Sequence, residues 1–204
     1  MVTLVFVRAP EPGRVKTRLA ATLGAEGALR VYRRLAEQTV REARALGGEL
    51  RIHFTPADRE AQVRAWLGEG ALYLPQADGD LGARMEAAFA AAFDAGARRV
   101  VIIGSDLPDL SAALLRRAFD ALDEHPAVLG PAHDGGYYLL GLGAPLPAVF
   151  RDMPWSTDAV LPLTLARLRA AGIEPALLPP LRDVDEVHDL PPGWEAWAQA
   201  DTAD

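Results

Sequence analysis

The chain has 204 residues, half of them hydrophobic, with 21 Lys or Arg against 28 Asp or Glu and no cysteine. That size and apolar content suit one domain with a real core, and no apolar run approaches the roughly 18 residues of a membrane span. The missing cysteines exclude disulfides and thiolate metal sites. The net charge of −7 argues against a nucleic-acid binder, but it leaves room for a small phosphorylated ligand met by a few focused cations.

MVTLVFVRAPEPG, at the start, lacks a charged beginning and a long apolar stretch, so no signal peptide is expected and a cytoplasmic protein is. Within it, residues 2–7 form a nearly continuous β-branched apolar run, the pattern of a strand covered on both faces. A long helix follows from Val15 to about Leu46, with a break expected near Gly24. ELRIHFT (49–55) reads as a strand, 58–67 as a helix and ALYLP (71–75) as another strand. From Leu81 to Ala95, Met85, Ala88, Phe89, Ala92 and Phe93 make one apolar helical stripe, with Asp80 placed to cap it. RVVIIG (99–104) is a second buried central strand, and Ser111 to Leu122 a helix with Ser111 as N-cap.

Beyond Leu122 the alternation of helix and strand loosens. AVLGPA and YYLLGL are two short strands separated only by HDGG; a Pro-rich connection, a helix over 157–171 and a strand in IEPALL follow. Residues 190–204 read as a short irregular helix packing Trp194 and Trp197. There is no internal repeat and no low-complexity linker, so 1–204 is expected to be one α/β domain with a less regular C-terminal third.

In open α/β sheets, ligands collect beyond the carboxyl ends of the strands. Two loops of that kind carry chemistry. The first, RAPEPGRVKTRLA, holds the chain's only lysine. Pro10, Pro12 and Gly13 shape a turn, and Lys16 and Arg18 open the next helix, so a helix N-terminus and two cations converge on an anion site. The second, GSDLPDL, puts Asp106 just past a buried strand, where its charge needs a first-loop cation or a metal. The first loop is not a GxxxxGK[ST] phosphate loop, because Val15 rather than a glycine stands directly before Lys16, and no GxGxxG fingerprint follows the first strand.

PGRVKTRL, GDLGARM, GSDLPDL, GPAHDGGYYLLGL and WSTDAV, in this order, resemble an uncharacterised-transferase family of the GT-A fold, often labelled glycosyltransferase. That family lies in the nucleotide-diphospho-sugar transferase superfamily. It is similar to the guanylyltransferases that activate phospholactate and to the molybdenum-cofactor nucleotidyltransferases. The resemblance runs from Met1 to about Leu190 and implies a three-layer α/β/α domain around a mostly parallel sheet.

It also implies roles. Lys16 and Arg18 would hold nucleotide phosphates, with Arg8, Ala9 and Gly13 of the same loop and Gly82 and Arg84 of GDLGARM bordering the nucleotide. Lys16, Arg18 and Asp106 would act in catalysis. Asp106 and a C-terminal carboxylate in RDVDEVHDL, Asp185 with Asp183 as the other candidate, would bind Mg²⁺ or Mn²⁺. Asp185 could instead be an N-cap before EVHDL.

HDGGYY suits the acceptor side. Gly135 and Gly136 permit close approach, Asp134 could bind a hydroxyl or act as a base, and Tyr137 or Tyr138 could stack; a simple tight turn explains the same residues. Trp155, Ser156 and Thr157 could line the acceptor or merely cap a helix.

The favoured reaction is nucleotidyl transfer from an NTP to a small phosphorylated or carboxylate acceptor. The alternatives are glycosyl transfer from a nucleotide-sugar and nucleotide sensing without turnover. The expected partners are thus small molecules, neither nucleic acid nor membrane.

Overall fold

The computed structural model of the protein describes residues 1–200. Seven strands form one sheet in the order β3-β2-β1-β4-β6-β5-β7, comprising β1 (Val2–Arg8), β2 (Glu49–Thr55), β3 (Leu72–Pro75), β4 (Val100–Ile103), β5 (Ala127–Pro131), β6 (Tyr137–Leu142) and β7 (Ala176–Leu177). Pairing is parallel throughout except along β6, which runs antiparallel to both β4 and β5. HDGG is too short for a crossover, so β6 has to return beside β5.

The apolar runs of β1 and β4 are continuous because both faces of these strands are covered. Leu4 and Ile102 face one layer with Met85, Phe89 and Leu168, while their neighbours Val5 and Ile103 face the other with Val40, Leu115 and Phe119. Helices α3 (Leu81–Asp94) and α5 (Val160–Ala170) therefore cover one side of the sheet, and α1 (Thr17–Leu46), α2 (Glu60–Leu67) and α4 (Ala112–Ala121) the other. This is the expected α/β/α arrangement. Both helix caps read from the sequence are made, Asp80 accepting from the Ala83 N–H and Ser111 from the Leu114 N–H.

Gly24 breaks the geometry of α1 with φ 72° and ψ 167°. The turn before Gly24 and the turns after it pack Leu19, Leu23, Val31 and Leu35 against Val184 and Ala198, the latter in α6 (Trp194–Gln199). Trp194 and Trp197 pack edge to face with the Arg34 guanidinium over both rings. Part of the expected C-terminal helix, residues 201–204, lies outside the described residues.

Three expectations change in extent. The helix over 58–67 opens with a 3-10 turn at Ala57–Arg59. The helix expected from 157 starts at Val160, after a turn in which Ser156 adopts φ 65°. IEPALL contributes only Ala176 and Leu177 to the sheet, since Pro175, Pro179 and Pro180 carry no N–H for a ladder.

Chain order places the site. After β1, β2 and β3 build the sheet in one direction, β4 returns to the opposite side of β1, which leaves a crevice at the carboxyl ends of β1 and β4. Val5 and Ile103 are in register there, so the loops after Arg8 and Ile103 flank the same crevice.

Candidate active site

Lys16 precedes α1 in a left-handed conformation, φ 45° and ψ 52°, with a side chain only 10% exposed. Its Nζ donates to Asp106 Oδ2 at 3.0 Å and to Asp185 Oδ1 at 3.2 Å. Arg18 Nη1 donates to the other oxygen of Asp185 at 2.8 Å. Residues 90 and 169 positions from Lys16 thus meet at one ammonium. Burial pulls the Lys16 pKa down, but Asp106 and then Asp185 outweigh it and raise the pKa above the ordinary lysine value.

The C-terminal carboxylates are positioned by the residue between them. Val184 is fully buried against α1 and α6, and its N–H donates to the Asp106 carbonyl at 3.0 Å. In an extended segment neighbouring side chains alternate, so Asp183 and Asp185 flank this anchor and both line the cleft. Asp185 is not the cap of the following turn. Glu186 is, in a reciprocal box with Asp189, which leaves the Asp185 carboxylate to Lys16 and Arg18. Asp183 is raised above the usual carboxylate range by burial first and by Asp106 next.

Several clefts share Arg18 and Asp185 in their walls at this cluster, and two of them differ sharply in character. One, of about 330 Å³, is lined by Arg8, Arg14, Lys16 and Tyr32. Among the described residues neither Arg8 nor Arg14 forms an ion pair, so this cleft concentrates positive charge on an acidic protein. The other, of about 430 Å³, has Asp106, Asp134, Asp183 and Asp185 near the cluster and an apolar wall that includes Phe6, Met85 and Leu140. Gly136, Tyr137, Trp155, Ser156 and Thr157 also line it.

The remaining sequence candidates divide. Ala9 is buried and its N–H is spent on the Thr55 carbonyl, while Gly13 serves a turn at φ 69°; neither belongs to the cleft walls. Gly82 packs against the neighbouring loop, where a Cβ would lie 2.4 Å from the Phe150 carbonyl oxygen and 2.7 Å from Trp155 Nε1. Arg84 bonds the Gly79 carbonyl and Gln76 Oε1. Gly135, at φ 89°, packs on Asp158, and Asp134 Oδ1 accepts the Gly136 N–H at 2.8 Å, so HDGG is a hydrogen-bonded turn as well as a cleft wall. Thr157 Oγ1 donates to the Pro154 carbonyl. Tyr138 also lines the cleft, and its hydroxyl donates to the Pro179 carbonyl.

Sequence reasoning missed Tyr32. Its hydroxyl accepts the Arg8 N–H at 2.7 Å and donates to the Arg8 carbonyl at 2.8 Å, pinning the end of β1 where the cationic loop begins. Burial pushes this phenol up to about 12. Its position among the apolar residues of α1 looks like core packing; a buried tyrosine's need for a polar partner was the available signal.

Residues 39–157, more than half of the chain, match the family described as "Uncharacterized protein conserved in bacteria (DUF2064)". The phosphoenolpyruvate guanylyltransferase of Chloroflexus aggregans (strain MD-66 / DSM 9485) is 31% identical over 140 residues, 66% of this chain and 69% of that protein. A crystal structure from Desulfovibrio desulfuricans G20, assigned by name to the nucleotide-diphospho-sugar transferases, superposes with a TM-score of 0.89 at 39% identity, covering 92% of this chain and 83% of that one. The 4-diphosphocytidyl-2C-methyl-D-erythritol synthase of Anaerococcus prevotii DSM 20548 shares the fold, with a TM-score of 0.62, 10% identity and coverage of 98% and 96%. The chain belongs to the DUF2064 family and is a transferase of the GT-A fold.

Proposed function

We propose that the protein is a nucleotidyltransferase that moves a nucleotidyl group from an NTP to a small acceptor bearing a phosphate or carboxylate. The observation that carries this reading is the Lys16 ammonium between Asp106 and Asp185, at the junction of a cationic cleft and a partly apolar one. The triphosphate lies along Arg8, Arg14, Lys16 and Arg18, and the acceptor enters from the side of Asp134, Tyr137 and Trp155. An acceptor oxygen attacks the α-phosphorus, the bond from that phosphorus to the bridging oxygen breaks, and pyrophosphate leaves. The name of the 31%-identical relative supports guanine as the base and a phosphorylated carboxylic acid as the acceptor.

The donor set suits Mg²⁺ or Mn²⁺. Asp106 and Asp185 offer oxygen only and converge on one positive charge, with Asp183 beside them. Among the described residues no three His, Cys, Asp or Glu side chains are grouped to hold a metal by themselves, so substrate phosphate and water complete the shell. When bound, the ion neutralises the charge of the phosphates and polarises the α-phosphorus. Lys16, released from the carboxylates, follows a phosphate oxygen as its charge grows, a task suited to a compact ammonium. Arg18, 69% exposed, is free to turn from Asp185 towards the leaving pyrophosphate.

An ionised acceptor needs no general base, which suits an Asp134 already engaged in its own turn. Glycosyl transfer to a hydroxyl would need one. The test is thermal stabilisation by a panel of NTPs and nucleotide-sugars, each with Mg²⁺ and with EDTA. Metal-dependent stabilisation by one NTP is expected. Stabilisation by a nucleotide-sugar alone would transfer the reading to glycosyl transfer, and tight nucleotide binding with no product after long incubation would make the protein a sensor.

A further inference from the structure

We infer that Lys16 also serves as a resident cation: in the free protein its ammonium holds the position that a divalent ion takes, so metal binds well only when nucleotide phosphates draw the lysine away. This rests on the nucleotidyl-transfer reading for the identity of the ligands, and on geometry for their coupling. Of the four oxygens of Asp106 and Asp185, three are already engaged: Asp106 Oδ2 and Asp185 Oδ1 by Lys16, and Asp185 Oδ2 by Arg18. A divalent ion held by both carboxylates would have to share the space between them that Nζ occupies. Two cations in that space repel each other.

Among the described residues Lys16 has no side-chain partner but these two carboxylates. Its backbone sits in the left-handed region, which disfavours a side-chain-bearing residue, and the carboxylates grip the end of its side chain. The cationic cleft lies alongside, lined by Lys16 itself. A triphosphate there offers the ammonium a new anion, and a swing of its flexible four-carbon stem exposes Asp106 and Asp185 to the metal. Coupling is reciprocal: whatever factor the nucleotide adds to metal affinity, the metal adds to nucleotide affinity.

The experiment measures Mn²⁺ binding to the full-length protein without nucleotide, by the electron paramagnetic resonance signal of free Mn²⁺, for wild type, Lys16→Met and Lys16→Met combined with Asp106→Asn. Circular dichroism and thermal melting check that each variant is folded. Lys16→Met should bind Mn²⁺ about tenfold or more tightly than wild type, since charge-assisted hydrogen bonds no longer compete for the carboxylates. Adding Asp106→Asn should abolish the gain. Lys16→Gln, neutral and of similar length, has to rank with Lys16→Met, and it replaces that variant if the methionine form does not fold. Equal affinity in wild type and the Lys16 variants overturns the resident-cation role and leaves the metal reading intact. Absence of binding in every form, together with nucleotide stabilisation indifferent to EDTA, overturns both.

Discussion

At residue scale, the chemistry concentrates on one lysine in a chain that otherwise uses arginine for every long cationic side chain. A guanidinium would present a planar fork where two carboxylates from different loops grip a single point. Lys16→Ala should lower kcat by about 100-fold or more, the scale of losing one preorganised donor to a developing oxyanion, while circular dichroism remains native. Lys16→Arg should not restore the rate. A variant with full turnover would remove Lys16 from the mechanism. Asp106→Ala should abolish the Mg²⁺ dependence of nucleotide-induced thermal stabilisation; an unchanged dependence would send the metal elsewhere. These residues were legible in the sequence because each follows a buried strand. Tyr32 was not, because a tyrosine inside a helical apolar stripe reads as packing until the backbone group it serves is in view.

At element scale, the proposed acceptor side depends on the segment between β6 and α5. It has little regular structure, and it holds Asp152 and Ser156 at φ 49° and 65°. Arg167 of α5 clamps it by donating to the carbonyls of Ala148, Arg151 and Asp152. Trp155 then lies across the start of α3, in contact range of Gly82. Gly82→Ala should therefore cost roughly 1–3 kcal/mol, the range for overpacking a tight contact. Urea denaturation measures that loss, and nucleotide affinity should stay near wild type. Weakened nucleotide binding at undiminished stability would instead return Gly82 to the nucleotide border. The sequence signalled a glycine at a helix entrance, but the partner that forbids a Cβ is about seventy residues away in the chain.

At the scale of the whole molecule, stability should depend on pH through His53 on β2. The ring is buried and tilted against Phe6, and its Nε2 has no hydrogen-bond partner among the described residues. Burial first, and the neighbouring Arg51 charge second, lower its pKa from 6.5 to about 4. Between those values the unfolded chain takes up a proton that the folded one refuses, so stability is full above about pH 6.5 and declines as pH falls towards 4. At about 1.4 kcal/mol per unit, this amounts to roughly 2 kcal/mol lost by pH 5. Urea unfolding of wild type and His53→Gln at pH 7.5 and 5 checks this: the variant should lose less, and equal slopes would place the titration elsewhere. The net charge of −7 has its own consequence at this scale, since a cationic cleft on an acidic protein attracts anionic ligands that the rest of the charge repels.

The sequence by itself determined the layers of this protein. Continuous apolar runs in β1 and β4 require cover on both faces, amphipathic helices supply it, and a four-residue turn obliges β6 to run antiparallel. Local chemistry also specified the caps at Asp80 and Ser111 and the break at Gly24. Only the tertiary structure decided which carboxylates Lys16 meets, because that depends on β4 returning beside β1 and on Val184 docking between α1 and α6. Likewise only packing separated Asp185, free for the cluster, from Glu186, used as a cap. Periodicity and capping are written within a few neighbouring residues, whereas a charge cluster joins positions 16, 106 and 185 through contacts that no local window contains.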